Sequence, residues 1–215
     1  MQFFSAVTGL YLASMAVAAP ADIQPRQGPT AVSTIDTSIN ALVPTVPRYA
    51  SAIQSSVATI QQSTSVQTEI VIAAEAAINA NLGVIISSLN DTVNTIVAVT
   101  INATGGVIVA AQGLAQADIN QLQSDIAILE NIIASFNATL TATASLEASV
   151  RATYQAEVTA FANLLQPFIN PIILFAQAAI AVTAGASVTG LAVATVGLQS
   201  IANNFYQSVG LPASA

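Results

Sequence analysis

Two carboxylate pairs and three Asn-x-Thr triplets are the residues of this chain whose type and spacing could support chemistry. Asp118 and Asp125 lie seven apart, and Glu69 and Glu75 lie six apart. Paired carboxylates can divide general-acid and general-base roles in glycoside hydrolysis, or ligate a hard cation. On a helix, such spacings more often mark a solvated face, because Asp and Glu are seldom buried. Glu147 and Arg151 stand four apart, in the order that favours a weak surface ion pair. No active site is expected, no metal ligand set is evident, and no cofactor is implied.

Composition narrows the chemistry further. The 215 residues are 54% hydrophobic and 6% charged, with ten acidic residues, three arginines and a net charge of −7. Ordinary domains carry about 25% charged residues. The chain has no histidine and no cysteine. That removes Ser-His-Asp and Cys-His nucleophile systems and nearly every zinc or copper site. Three arginines cannot neutralise a phosphate backbone, so nucleic acid is excluded as a partner. A chain this apolar is also unlike a disordered one.

The triplets Asn90-Asp91-Thr92, Asn102-Ala103-Thr104 and Asn137-Ala138-Thr139 are N-glycosylation acceptors if the chain is secreted. Residues 1–18 have the form of a secretory signal. An uncharged run from Phe3 ends in Ala16-Val17-Ala18-Ala19, an Ala-x-Ala type of cleavage site. Residues 19–30 form a proline-rich linker or propeptide, with Arg26 as a possible second cut. The expected locale is extracellular, in the medium or the cell wall. Without disulfides, stability must come from apolar packing.

That packing is expected to be all-α, a bundle of long amphipathic helices forming one domain over residues 31–212. Leu122, Ile126, Leu129, Ile133, Phe136 and Leu140 follow 4-3 spacing, which places them on one helix stripe. So do Ile78, Leu82, Ile85, Leu89, Thr92, Ile96 and Val99. An earlier stripe, Ile35, Ile39, Leu42, Val46, Tyr49 and Ile53, crosses Pro44 and Pro47, which should break it. Asn102 to Gly106 is the clearest internal stop. A helix from about Leu114 extends by pattern toward Phe168, but Thr143, Glu147 and Glu157 at core-like places call for a break or a register shift. Pro167 should end or bend what precedes it, and Asn170-Pro171 resembles a fresh N-cap and first turn.

The final third holds the imbalance. From Val158 to Ala215 no side chain is charged, and Ile172 to Leu198 is long and apolar enough to raise a membrane span. Against a span, no basic residue flanks it, and polar residues interrupt it. Ser187, Thr195, Gln199, Asn203 and Gln207 offer a polar stripe suited to a one-sided soluble helix. Phe161, Phe168 and Phe175 are spaced by seven, with Leu164 beside them. These four are the candidate apolar ligand contacts, although aromatic stripes usually fill a core.

A helical body free of cysteine and rich in small and β-branched residues, acidic and preceded by a signal, resembles the fungal hydrophobic surface binding protein A family, which includes cell wall galactomannoproteins. The stretches behind the resemblance are Val32 to Leu42, then Ala184-Gly185-Ala186-Ser187-Val188 leading to Leu191, Leu198, Phe205, Val209 and Pro212. The chain departs from that family in lacking lysine and in its uncharged final third. The resemblance implies secretion, adsorption to hydrophobic surfaces and, for some members, lipid binding in a helical cavity. Expected partners are therefore a hydrophobic surface, a lipid or fatty acid, with cell-wall polysaccharide a further candidate. A structural wall glycoprotein and a protein inserting residues 172–198 into a membrane are the alternatives.

Overall fold

A computed structural model describes residues 30–63, 69–183 and 188–208; the signal-like segment and most of the linker lie outside them. Eight helices occur among these residues: α1 (Ala31–Leu42), α2 (Thr45–Gln62), α3 (Glu69–Val99), α4 (Gly106–Ala111), α5 (Gln116–Ala144), α6 (Ala148–Arg151), α7 (Gln155–Val182) and α8 (Thr189–Ser208). The all-α expectation holds, with no cysteine to cross-link it.

Each stripe read from the sequence becomes a buried face. Ile78, Leu82, Ile85, Leu89 and Ile96 of α3 are fully buried, as are Leu122, Ile126, Leu129, Ile133 and Phe136 of α5. The first stripe is broken where the prolines require: α1 ends at Leu42, and α2 restarts after Pro44, with Pro47 in its first turn. Thr30 is the N-cap of α1, its hydroxyl accepting from the Ser33 N–H at 3.1 Å. The stop at residues 102–106 is a tight corner. Gly105 there has φ +89°, and a Cβ would meet Val109, so the position favours glycine.

Two readings near the middle are settled by breaks. The helix begun at Gln116 ends at Ala144, and α6 and Tyr154 intervene before α7. Thr143 tolerates its core position because its hydroxyl donates to the Leu140 carbonyl at 2.9 Å. Glu147 is exposed just before α6.

The prolines of the final third act differently from expectation. α7 runs unbroken from Gln155 to Val182 with Pro167 and Pro171 inside it. Each proline removes one helical N–H, at a cost of about 3 kcal/mol in an isolated helix. Burial of Phe161, Leu165, Phe168, Ile169, Ile172 and Phe175 on both sides of them offsets that loss. Asn170 is accordingly no N-cap, and its buried Oδ1 has no partner. Residues 172–198 do not form one continuous helix either. α7 is capped at Thr183 in an extended conformation, and α8 begins at Thr189.

The long helices close a ring: α1–α2 pack on α3, α3 on α7, α7 on α8, α8 on α5, and α5 back on α1–α2. Cross-contacts set the directions. Gln121 bonds Asp36 and Gln61 bonds Ser145, so α1–α2 and α5 run the same way. Methyls added at Gly190 and Gly197 would meet Gln123 and Glu130 in turn, which places α8 parallel to α5. The Tyr206 hydroxyl donates to the Leu165 carbonyl at 3.4 Å, so α7 and α8 form an antiparallel hairpin. Inside the ring lies one continuous apolar core.

Candidate functional site

The carboxylates do not meet as their spacing suggests. Asp118 turns back to accept from the Ala115 N–H at 2.9 Å, an N-terminal cap for α5. Asp125, seven residues on, is fully buried. Its neighbour is Asp36 of α1. One amide nitrogen, Gln121 Nε2, donates to Asp125 Oδ1 at 2.9 Å and to Asp36 Oδ1 at 2.8 Å. Asn40 Nδ2 donates to the same Asp36 oxygen at 2.6 Å. Asp125 Oδ2 has no partner. Burial pushes the Asp125 carboxyl up to about 7, with the charge of Asp36 adding to the shift and the Gln121 hydrogen bond opposing it.

This pair went unread in the sequence because Asp36 and Asp125 are far apart along the chain. One signal was present. Ile132 and Thr139 continue from Asp125 at seven-residue intervals, and both are buried. They widen the α5 core face to include the aspartate. On α3, Glu69 is exposed, while the charge of half-buried Glu75 acts on Tyr154. Among the described residues no group of three or more acidic side chains could hold a metal ion.

Phe161, Phe168 and Phe175 are fully buried in the core, and Leu164 is half-buried beside them. Phe161 packs edge-on against Phe136, with ring centroids 4.7 Å apart. None of the four lines either of the two clefts described next.

A cleft of about 380 Å³ lies instead where the end of α5 meets α6 and the start of α7. Leu140, Val158 and Ala162 supply its apolar wall, and Arg151, Tyr154 and Thr159 are among its polar groups. Rather than pairing with Glu147, the Arg151 guanidinium donates to the Ala144 carbonyl at 3.2 Å. The Tyr154 hydroxyl is buried without a partner. Burial pushes it up to about 12, against the pull of Arg151. A smaller space of about 240 Å³ lies where the break between α1 and α2 faces α5.

The outer face of the α7–α8 hairpin has a different character. Beyond Glu157 it carries no charge, and Val193 and Val196 of α8 are 69% and 67% exposed. Leu174 of α7 is 44% exposed, and the Tyr206–Leu165 register puts it level with Val196. The polar stripe anticipated for α8 is therefore not its outer face. Thr195 is buried, with its hydroxyl donating to the Leu191 carbonyl at 2.7 Å, and Gln199 and Asn203 are half-buried. Gln207 does face outward, and Ser187 lies outside the described residues.

Among the described residues three helices, α3, α5 and α7, are long and apolar enough to cross a membrane by length and composition. The Asn90, Asn102 and Asn137 side chains are exposed, so each can carry a glycan without displacing the core. Asn137 stands on the wall of the larger cleft. Comparison with protein-family models, with curated proteins and with solved structures finds no match.

Proposed function

We propose that this is a secreted, non-enzymatic helical protein that adsorbs to hydrophobic surfaces through the outer face of α7 and α8. One observation carries the reading: Val193, Val196 and Leu174 are exposed at one level of a hairpin that has no charged side chain from Val158 onward. Scattered exposed aliphatic residues are ordinary on a protein surface. Here they lack the surrounding charges whose hydration would resist contact with an apolar phase. The acidic residues all precede Val158, and among the described ones all but Asp125 reach the surface, which keeps the rest of the molecule wetted.

Adsorption to polystyrene beads tests the reading, with carboxylated hydrophilic beads as the control. Retention on polystyrene that persists at 1 M salt on the order of a 3 Å screening length supports an apolar contact. Equal retention on both beads, or release by salt, contradicts it.

The larger cleft favours a second reading, capture of a fatty acid. An apolar wall, a guanidinium and a phenol lacking an acceptor suit a short acyl chain ending in a carboxylate. Displacement of a fluorescent fatty acid by decanoate, weakened at least about tenfold in Arg151→Gln, is the expected result. Absence of any displaceable binding by the parent protein rejects it. The exposed sequons support a wall glycoprotein, in which glycan adds the surface polarity that the side chains lack.

A further inference from the structure

Asp125 is the only acidic or basic side chain that is buried among the described residues. It sits in the contact between α1 and α5, facing a second carboxyl, Asp36, across the single bridging nitrogen of Gln121. Burial denies water to the Asp125 carboxylate, and the neighbouring Asp36 charge disfavours its ionisation further. The one unpartnered oxygen, Asp125 Oδ2, is where a proton would add the donor that the group lacks.

We propose that Asp36 and Asp125 form a proton-held latch that fastens α1 to the bundle and releases it when the pair ionises. In the held state the Asp125 acid is neutral, and Gln121 and Asn40 satisfy Asp36. When the proton leaves for solvent, the buried Asp125 carboxylate has only the Gln121 amide that it shares with Asp36, and separating α1 from α5 restores its hydration.

The architecture makes α1 the element able to move. It has 12 residues, and the turn at Val43 and Pro44 separates it from α2. A helix that short has little stability of its own and depends on packing. What it covers is apolar: Val32, Ile35, Ile39 and Leu42 are all buried against α3 and α5. Release would therefore expose a second apolar stripe, separate from the α7–α8 face.

No other charge replaces the proton. Among the described residues, α2 brings Arg48, whose guanidinium lies over the Tyr49 ring at 5.5 Å, and α8 brings none. α3, packed on the far side of α1, carries Glu69, Glu75 and Asp91, and α7 carries Glu157. On α5 itself are Asp118 and Glu130. Asp36 is the charged group that acts on Asp125, and burial holding the Asp125 carboxyl up at about 7 agrees with the geometry.

Hydrogen exchange of the intact protein at pH 5 and pH 8, corrected for intrinsic rates, tests the latch. Protection of amides in residues 31–42 should fall at least about tenfold at pH 8, while α7 amides hold theirs. Asp125→Asn should abolish the difference. Asp36→Asn, at a half-exposed site, should do the same and serves if the first variant does not fold. Unchanged α1 protection in the parent overturns the proposal, as does an equal loss in α7 or a loss that persists in the variants. If calcium chloride at pH 8 restores α1 protection as fully as acid does, the pair is a cation site and the proton latch is wrong.

Discussion

The α7–α8 hairpin and the α1–α5 contact bury polar groups in opposite ways. In the hairpin, the buried Thr195 and Tyr206 hydroxyls are satisfied by backbone carbonyls, those of Leu191 and Leu165, and the unpartnered Asn170 Oδ1 is a neutral amide oxygen. Beyond Glu157 the hairpin has no carboxylate or basic side chain, and burial pushes the Tyr206 phenol further up. At the α1–α5 contact, a carboxyl is buried opposite a carboxyl and one oxygen is left over. The first arrangement is indifferent to pH, and the second depends on it. Their outer faces differ as well, with Val193 and Val196 exposed on the hairpin and charged or amide groups such as Asp36 and Asn40 at the margin of the other.

The largest effect should come from the hairpin's buried side. Phe168 is fully buried, so Phe168→Ala should cost about 3–5 kcal/mol in urea denaturation. The same change should leave fatty-acid binding unaltered in whatever fraction stays folded, since Phe168 lines neither cleft.

Next comes the pH dependence. The folded Asp125 carboxyl is raised from 3.8 to about 7. Between those values the folded state holds a proton that the unfolded chain has released. The stabilising contribution is therefore complete below about pH 4, is lost as pH rises to about 7, and is absent above that. Denaturation of the parent protein across pH 4–8 should show a fall on the order of 2–4 kcal/mol from this group. Asp125→Asn should remove that fall and should be the more stable protein at pH 8. A variant that retains the parent's slope would show that other groups produce it.

Thr195→Val provides the contrast. Its hydroxyl bonds a carbonyl of its own helix, so its replacement by an apolar group of similar shape should change stability by less than about 1 kcal/mol at any pH between 4 and 8. A loss of several kcal/mol, or one that varies with pH, would erase the distinction between the two regions.

Much of the fold was legible because the stripes of α3 and α5 repeat over many turns with few exceptions. The break at Pro44 was legible from a proline pair within a few residues, with Pro44 standing as the N-cap of α2 just after α1 ends. Pro167 and Pro171 were not legible, because the local rule says that they end a helix and only tertiary burial on both sides outweighs it. The outer face of α8 was misplaced by a related error. Threonine counts as polar in a pattern, yet on a helix it can bond the carbonyl four residues back and face the core. The Asp36–Asp125 pair lies beyond any local pattern, since it is made by packing α1 against α5.

The adsorption proposed for this protein belongs to the α7–α8 outer face. Val193→Lys with Val196→Lys should leave stability within about 0.5 kcal/mol, since both side chains are exposed. The decisive measurement is the adsorption isotherm of that double variant on polystyrene, beside Ile70→Lys with Ile72→Lys, two similarly exposed positions on α3. The account predicts affinity lowered at least about tenfold for the α8 variant and little changed for the α3 variant. Equal loss in both, or none in the α8 variant, would contradict it.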